Sequence, residues 1–79
     1  MAQSEYEYTV ILERNETGGY TVTVPILAGL VTEGRTLKEA HELARDAITC
    51  YLEGLAQDGE PLPVEREVLQ EKIKVAIGP

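Results

Sequence analysis

EYEYTVILERNETGGYTVTVP, residues 5 to 25, decides the fold, because it holds two runs of period-two alternation around a cluster of turn formers. In the first run Tyr6, Tyr8, Val10 and Leu12 share one face, and Glu5, Glu7, Thr9, Ile11 and Glu13 share the other. In the second, Tyr20, Val22 and Val24 alternate with Thr21 and Thr23. Asn15-Glu16-Thr17-Gly18-Gly19 lies between, with Asn to start a turn and Gly where φ must be positive. The reading is a hairpin with strands over about 5–14 and 19–25, joined by a short loop with a Gly bulge. To share one apolar face, Leu12 is set opposite Tyr20, Val10 opposite Val22 and Tyr8 opposite Val24. A one-residue slip would turn one strand inside out.

Working outward, Pro25 closes the second strand, since it has no N–H for the ladder. Ile26-Leu27-Ala28-Gly29 reads as a crossing segment, and residues 30–33 as a short third strand stopped by Gly34. Thr36-Leu37-Lys38-Glu39 is a capping box. It opens a helix over 36–58 whose apolar positions, Leu37, Ala40, Leu43, Ala44, Ala47, Ile48, Tyr51, Leu52 and Leu55, recur every three or four residues. Asp58-Gly59 stops it, and Pro61 and Pro63 prevent its resumption. Val64 to Gln70 reads either as a helical turn or as an irregular arm. Residues 71–77 alternate and are β-branched, which predicts a fourth strand with Ile73, Val75 and Ile77 facing inward. The expected architecture is one α+β domain over residues 1–79. Its antiparallel sheet has one face covered by a single long helix, in the order β-β-β-α-β.

Composition narrows the function. A chain of 79 residues makes one domain with a thin core, here built without Phe or Trp. Such domains usually need disulfides, a metal or partner chains. Cys50 is the single cysteine and His41 the single histidine, so neither an internal disulfide nor a closed zinc site is available. Association with other chains is the remaining supplement, and a homo-oligomer, dimer or tetramer, is expected. Fourteen acidic against seven basic residues give a net charge of −7, which predicts poor binding to nucleic acid. The same charge fits either a basic partner or simple solubility. Met1-Ala2-Gln3-Ser4-Glu5 has neither a basic nor an apolar leader region, and no apolar run reaches the ~18 residues of a membrane span. With one unpaired cysteine, the expected compartment is the cytoplasm.

No catalytic residue, metal ligand or cofactor site is expected. His41 reads as a boundary histidine at the edge of the helical stripe, and Cys50 as a small buried hydrophobe far from the helix N-terminus. The acids are scattered along solvated faces, and Gly18-Gly19 is explained by turn chemistry. The sheet face opposite the helix is more informative. It carries Thr9, Ile11, Thr21, Thr23 and Ala76 with Glu7, Glu13 and Lys74. Thr9, Ile11, Thr21 and Thr23 make either a self-association face or an exposed surface chosen for β-propensity.

In order, the hairpin with GGYTVTVP, the crossing segment PILAG, VTEGRT, the helix LKEAHELARDAITCYLEGL and then DGEPLP resemble the HicB-like antitoxin domain. The similarity runs from about Tyr6 to Pro63. Gly19, Tyr20, Pro25, Gly29, Thr32, Gly34, Thr36, Asp58, Gly59, Pro61 and Pro63 match that family's pattern as structural positions. Three positions depart from it: Ile26, Ala28 and Leu30 stand where the family usually has an acid, a proline and often a cysteine. The resemblance implies a partial, catalytically degenerate ribonuclease-H-like fold. It also implies partnership with a HicA-type toxin, a small basic RNA-cleaving protein. Family members commonly carry a C-terminal DNA-binding segment, and a short form lacking it is expected here. The leading expectation is therefore an antitoxin-like module, not an enzyme, that occludes a basic toxin. The alternative is a self-associating structural or ligand-binding module without a toxin. Last, on fold analogy alone, comes residual nuclease activity through Glu7 or Glu13.

Overall fold

The computed structural model describes residues 5–79, so the first four residues of the expected domain lie outside it. Three short strands follow one another as an antiparallel meander: β1 (Ile11–Arg14), β2 (Tyr20–Thr23) and β3 (Val31–Gly34). One helix, α1 (Leu37–Gln57), then packs on one face of the sheet. The order β-β-β-α of an α+β domain is as the sequence indicates.

The hairpin turn is tighter than expected. Asn15 N–H donates to the Gly19 carbonyl (2.9 Å) and Gly18 N–H to the Asn15 carbonyl (3.1 Å), leaving only residues 16–18 in the loop. The Asn15 side-chain oxygen accepts from Thr17 N–H and Gly19 N–H, and Gly18 takes the positive φ of 87° that the bulge requires. The register is therefore displaced by two residues: Leu12 faces Val22 and Arg14 faces Tyr20, rather than Leu12 facing Tyr20. Because the shift is even, every side chain keeps its expected face. The expected pairs Val10–Val22 and Tyr8–Val24 are replaced in the same way. β1 is also shorter than the expected 5–14. The observed register would bring Thr9 opposite Pro25, which ends the ladder, so residues 5–10 have no rung to continue on.

Two successive turns carry the chain from β2 to β3. Leu27 N–H donates to the Val24 carbonyl (3.0 Å), and Leu30 N–H to the Leu27 carbonyl (3.0 Å). Pro25 holds the second position of the first turn, and Gly29, at φ 83°, the third position of the second. Leu27 is 1% exposed, the largest of the fully buried side chains.

Thr36 caps α1, its hydroxyl accepting from Glu39 N–H at 3.0 Å. Glu39 reaches back one residue further than an ordinary capping box, to Arg35 N–H at 2.9 Å. That bond and the Arg35 side chain hold the exposed Glu39 carboxyl below its ordinary value of 4.5. The sign follows: a lowered folded-state value means that this contribution is complete above the ordinary carboxylate range. It is lost as pH falls through the folded-state value. Thr36→Ala is expected to cost about 1 kcal/mol in urea unfolding. The first turn of α1 should also loosen in acid before the rest, as amide exchange would report. At the other end Gly59 N–H bonds the Ala56 carbonyl and Glu60 N–H the Leu55 carbonyl, a Schellman cap with Gly59 at φ 71°.

The core is small. Val22, Ala40 and Ala44 are buried together, with Val10, Leu12 and Tyr20 packed around them. The helical stripe is wider than the sheet can cover. A helix of 21 residues is about 31 Å long, whereas strands of four residues are about 13 Å long. Tyr51, beyond the buried Ala40 and Ala44, accordingly remains exposed, and Leu37 and Leu43 are exposed beside them. Cys50, expected to be buried, lies outside the apolar stripe and is exposed.

The expected fourth strand does not join this sheet. Residues 61–79 form no helix or strand, and instead of facing inward Ile73, Val75 and Ile77 are 80%, 73% and 92% exposed. Periodicity specifies a strand but not the edge that receives it. The described residues extend 60 Å along their longest axis.

Candidate protein-interaction surface

The sheet face away from α1 is assembled by the strand register. Ile11, Thr23 and Val31 stand side by side in one row across the three strands, and Glu13, Thr21 and Glu33 in the next. Thr9 lies two residues before β1 begins, outside these rows. The structure thus brings together Ile11, Thr21 and Thr23, which the sequence assigns to one face, and adds Val31, which it does not. Val31 is 57% exposed, a large apolar side chain on the edge strand two residues from Glu33. Its position could have been read from the sequence only after the lengths of both loops were known. Asn15 reinforces the row by donating from Nδ2 to Thr21 Oγ1 at 3.4 Å.

Thr9 is held by a residue the sequence does not single out. Both Glu65 carboxylate oxygens accept from Thr9 N–H, at 2.8 and 2.9 Å, and Thr9 Oγ1 donates to Glu65 Oε2 at 2.7 Å. Beside it Tyr8 Oη donates to the Pro63 carbonyl at 2.6 Å. Burial first, then the neighbouring Tyr6 and Glu65, raise the Tyr8 hydroxyl above its ordinary 10.0, so it remains a donor at neutral pH. These bonds clasp the segment after the helix to the start of the sheet. Glu65→Ala should abolish the clasp, and hydrogen bonds to a charged acceptor are typically worth ~1.5–3 kcal/mol. The expected readout is loss of amide-exchange protection at Thr9 with the protection of Val22 unchanged.

The family-pattern residues sit in the scaffold rather than on this face. Gly19 and Gly34 allow close backbone approach: a Cβ on Gly19 would stand 2.6 Å from the Gly34 carbonyl oxygen. Tyr20 lies between Arg14 and Gly34 in the register, with the Arg14 guanidinium 5.5 Å from its ring centroid. Thr32 pairs with Val22 on the helix side. Pro25, Gly29, Thr36, Asp58 and Gly59 form the turns and caps already described. Pro61 follows the helix stop, and Pro63 receives the Tyr8 hydroxyl.

Chemistry-bearing side chains are dispersed. His41 is exposed and lines a shallow depression with Tyr6, Tyr8, Val10, Ala44, Arg45 and Ile48. Among the described residues no three His, Cys, Asp or Glu side chains converge as metal ligands would. Arg35–Glu39, at 3.5 Å, is the one ion pair within 4.0 Å among them. Among the described residues no helix is long and apolar enough to cross a membrane. These features define a small α+β scaffold with one outward-facing sheet face.

The chain belongs to the HicB-like antitoxin family. The model of that family, described as the HicB-like antitoxin of bacterial toxin–antitoxin systems, matches residues 8–76. A UPF0150 protein of Thermoplasma acidophilum is 44% identical over 57 residues, covering 72% of this chain and 83% of that one. A UPF0150 protein of Synechocystis is 40% identical over 60 residues, 76% of each chain. Antitoxin HicB 1 of Photorhabdus laumondii is 37% identical over 70 residues, 89% of this chain but 45% of the antitoxin. No solved structure matches.

Proposed function

We propose that this chain is the protein-binding part of a toxin–antitoxin pair, and that it neutralises a small basic RNA-cleaving toxin of the HicA type by covering its RNA-binding surface. The observation that carries this reading is the face built from Ile11, Thr23 and Val31 and rimmed by Glu13 and Glu33, on a chain of net charge −7. An apolar centre with an acidic border suits a partner whose own surface is basic enough to hold RNA. In this proposal the chain contributes no catalysis, works in the cytoplasm, and represents a partial ribonuclease-H-like unit. Self-association of the same face is the second reading, favoured by Val31, whose exposure a second copy would relieve.

The test is a titration of purified chain into a HicA-type nuclease. RNA cleavage should fall in proportion to added chain, and the complex should weaken as salt rises. Glu13→Lys with Glu33→Lys should weaken inhibition by about tenfold or more, because rim charges act mainly on encounter and register. Undiminished cleavage at excess chain would discard the proposal.

A further inference from the structure

We propose that residues 72–77 form a β-strand on the open edge of β1 in a second copy of this chain, so that two copies exchange their C-terminal arms reciprocally. The inference does not depend on a toxin partner.

The arm has the pattern of a strand without the contacts of one. Lys72-Ile73-Lys74-Val75-Ala76-Ile77 alternates over six residues, yet its three β-branched side chains stand in solvent. The radius of gyration, 15.7 Å, compares with about 12 Å expected for a compact chain of this length, which places the arm well away from its own core. Held out from its own core in this way, the segment presents its free backbone groups and its apolar side to a sheet edge of a second copy.

The receiving site is on β1, which is an edge strand. Ladder alternation, counted from the Asn15–Gly19 bond, turns the amides and carbonyls of Ile11 and Glu13 toward β2 and those of Leu12 outward. Beyond that edge, on the helix side, lies a depression of about 180 Å³ lined by Tyr6, Tyr8, Val10, His41, Ala44 and Ile48. The β3 edge offers less, because α1 already packs over β3.

Charge selects the orientation of the incoming strand. With Ile73, Val75 and Ile77 turned toward the helix-side depression, Lys72 and Lys74 fall on the opposite face, where one of them can stand beside Glu13 of β1. Opposite charges across neighbouring strands stabilise such a pair. The reverse orientation would set both lysines against Arg45, which borders the depression. A reciprocal exchange is also the arrangement a two-fold axis closes without leaving a free edge.

The experiment is light scattering with size-exclusion chromatography on the full chain, alone. A dimer is expected. Ile73→Asp with Val75→Asp, at positions exposed in the single chain, should raise the dimer dissociation constant by about a hundredfold or more, the scale of burying two unpaired carboxylates. Helix content by circular dichroism should stay unchanged. Lys72→Glu with Lys74→Glu should weaken the dimer, and adding Glu13→Lys should restore part of it. Four results would overturn the proposal: a wild-type monomer at all concentrations, a dimer indifferent to the aspartates, no rescue by the charge swap, or loss of helix in the aspartate variant, which would tie the arm to its own core. A chain that is monomeric but still inhibits a toxin would remove this inference and leave the proposed function standing.

Discussion

Replacing Gly34 by alanine is expected to lower the thermal midpoint more than any other single small substitution in the sheet. The backbone there is unremarkable in φ, so the reason is space. An added Cβ would lie 2.4 Å from Ala40 N, 2.5 Å from Ala40 Cα and 2.9 Å from Ala40 Cβ. Two of those atoms are helix backbone, which cannot swing aside as a long side chain could. The first turn of α1 would have to lift from β3, and Ala40, fully buried in the small core, would lift with it. Overpacking of this kind costs about 1–3 kcal/mol and sometimes more. A chain of this length has roughly 4–12 kcal/mol of total stability. Each kcal/mol moves the thermal midpoint by about 4–8 °C in a domain this small, so a fall of roughly 10 °C or more is expected. Gly54→Ala is the matched control. Nothing lies within 4 Å of its added Cβ, and alanine is the better helix former by about 0.5–1 kcal/mol. That variant should melt higher than the parent, not lower. Equal midpoints for the two variants would contradict the close-approach argument.

Leu27→Ala is expected to be comparably damaging for the opposite reason. Leu27 is 1% exposed, and truncation removes apolar contacts while leaving a void. Losses of about 2–5 kcal/mol are usual for such a change. The consecutive turns on either side keep residues 24–30 in place through their own hydrogen bonds, which limits collapse around the void. Urea unfolding should show a lower midpoint with the slope unchanged. A midpoint within experimental error of the parent would mean that Leu27 is dispensable to the core.

Both residues bear on what a sequence reveals. The hairpin faces, the Thr36 cap and the Gly59 stop were legible because each rests on local chemistry: alternation, a hydroxyl before an apolar run, a glycine after one. Gly34 was legible as a family position, but its physical reason, contact with Ala40, is a meeting of two elements. Leu27 looked like a residue of a connecting segment, since no periodicity marks a side chain buried from a turn. The hairpin register was missed by two residues because Asn15 and the glycine pair fit either a three-residue or a five-residue loop. The stripe on α1 indicates the buried face but not how far the sheet reaches along it, so Tyr51 is less enclosed than the spacing suggests, and Cys50 lies outside the stripe altogether. The interaction face was half legible: Ile11, Thr21 and Thr23 follow from alternation, whereas Val31 needs the second loop and Glu65 is one acid among fourteen.

The clasp between Glu65 and Thr9 has a mechanical consequence. Tension applied to the C-terminal arm, by whatever molecule grips it, enters the fold at Thr9 and Tyr8 and is passed along β1 as shear. The rest of the load runs back along residues 58–62 to the C-terminal end of α1. A pull on the arm is thus divided between the start of the sheet and the end of the helix, with Glu65 as the point of division.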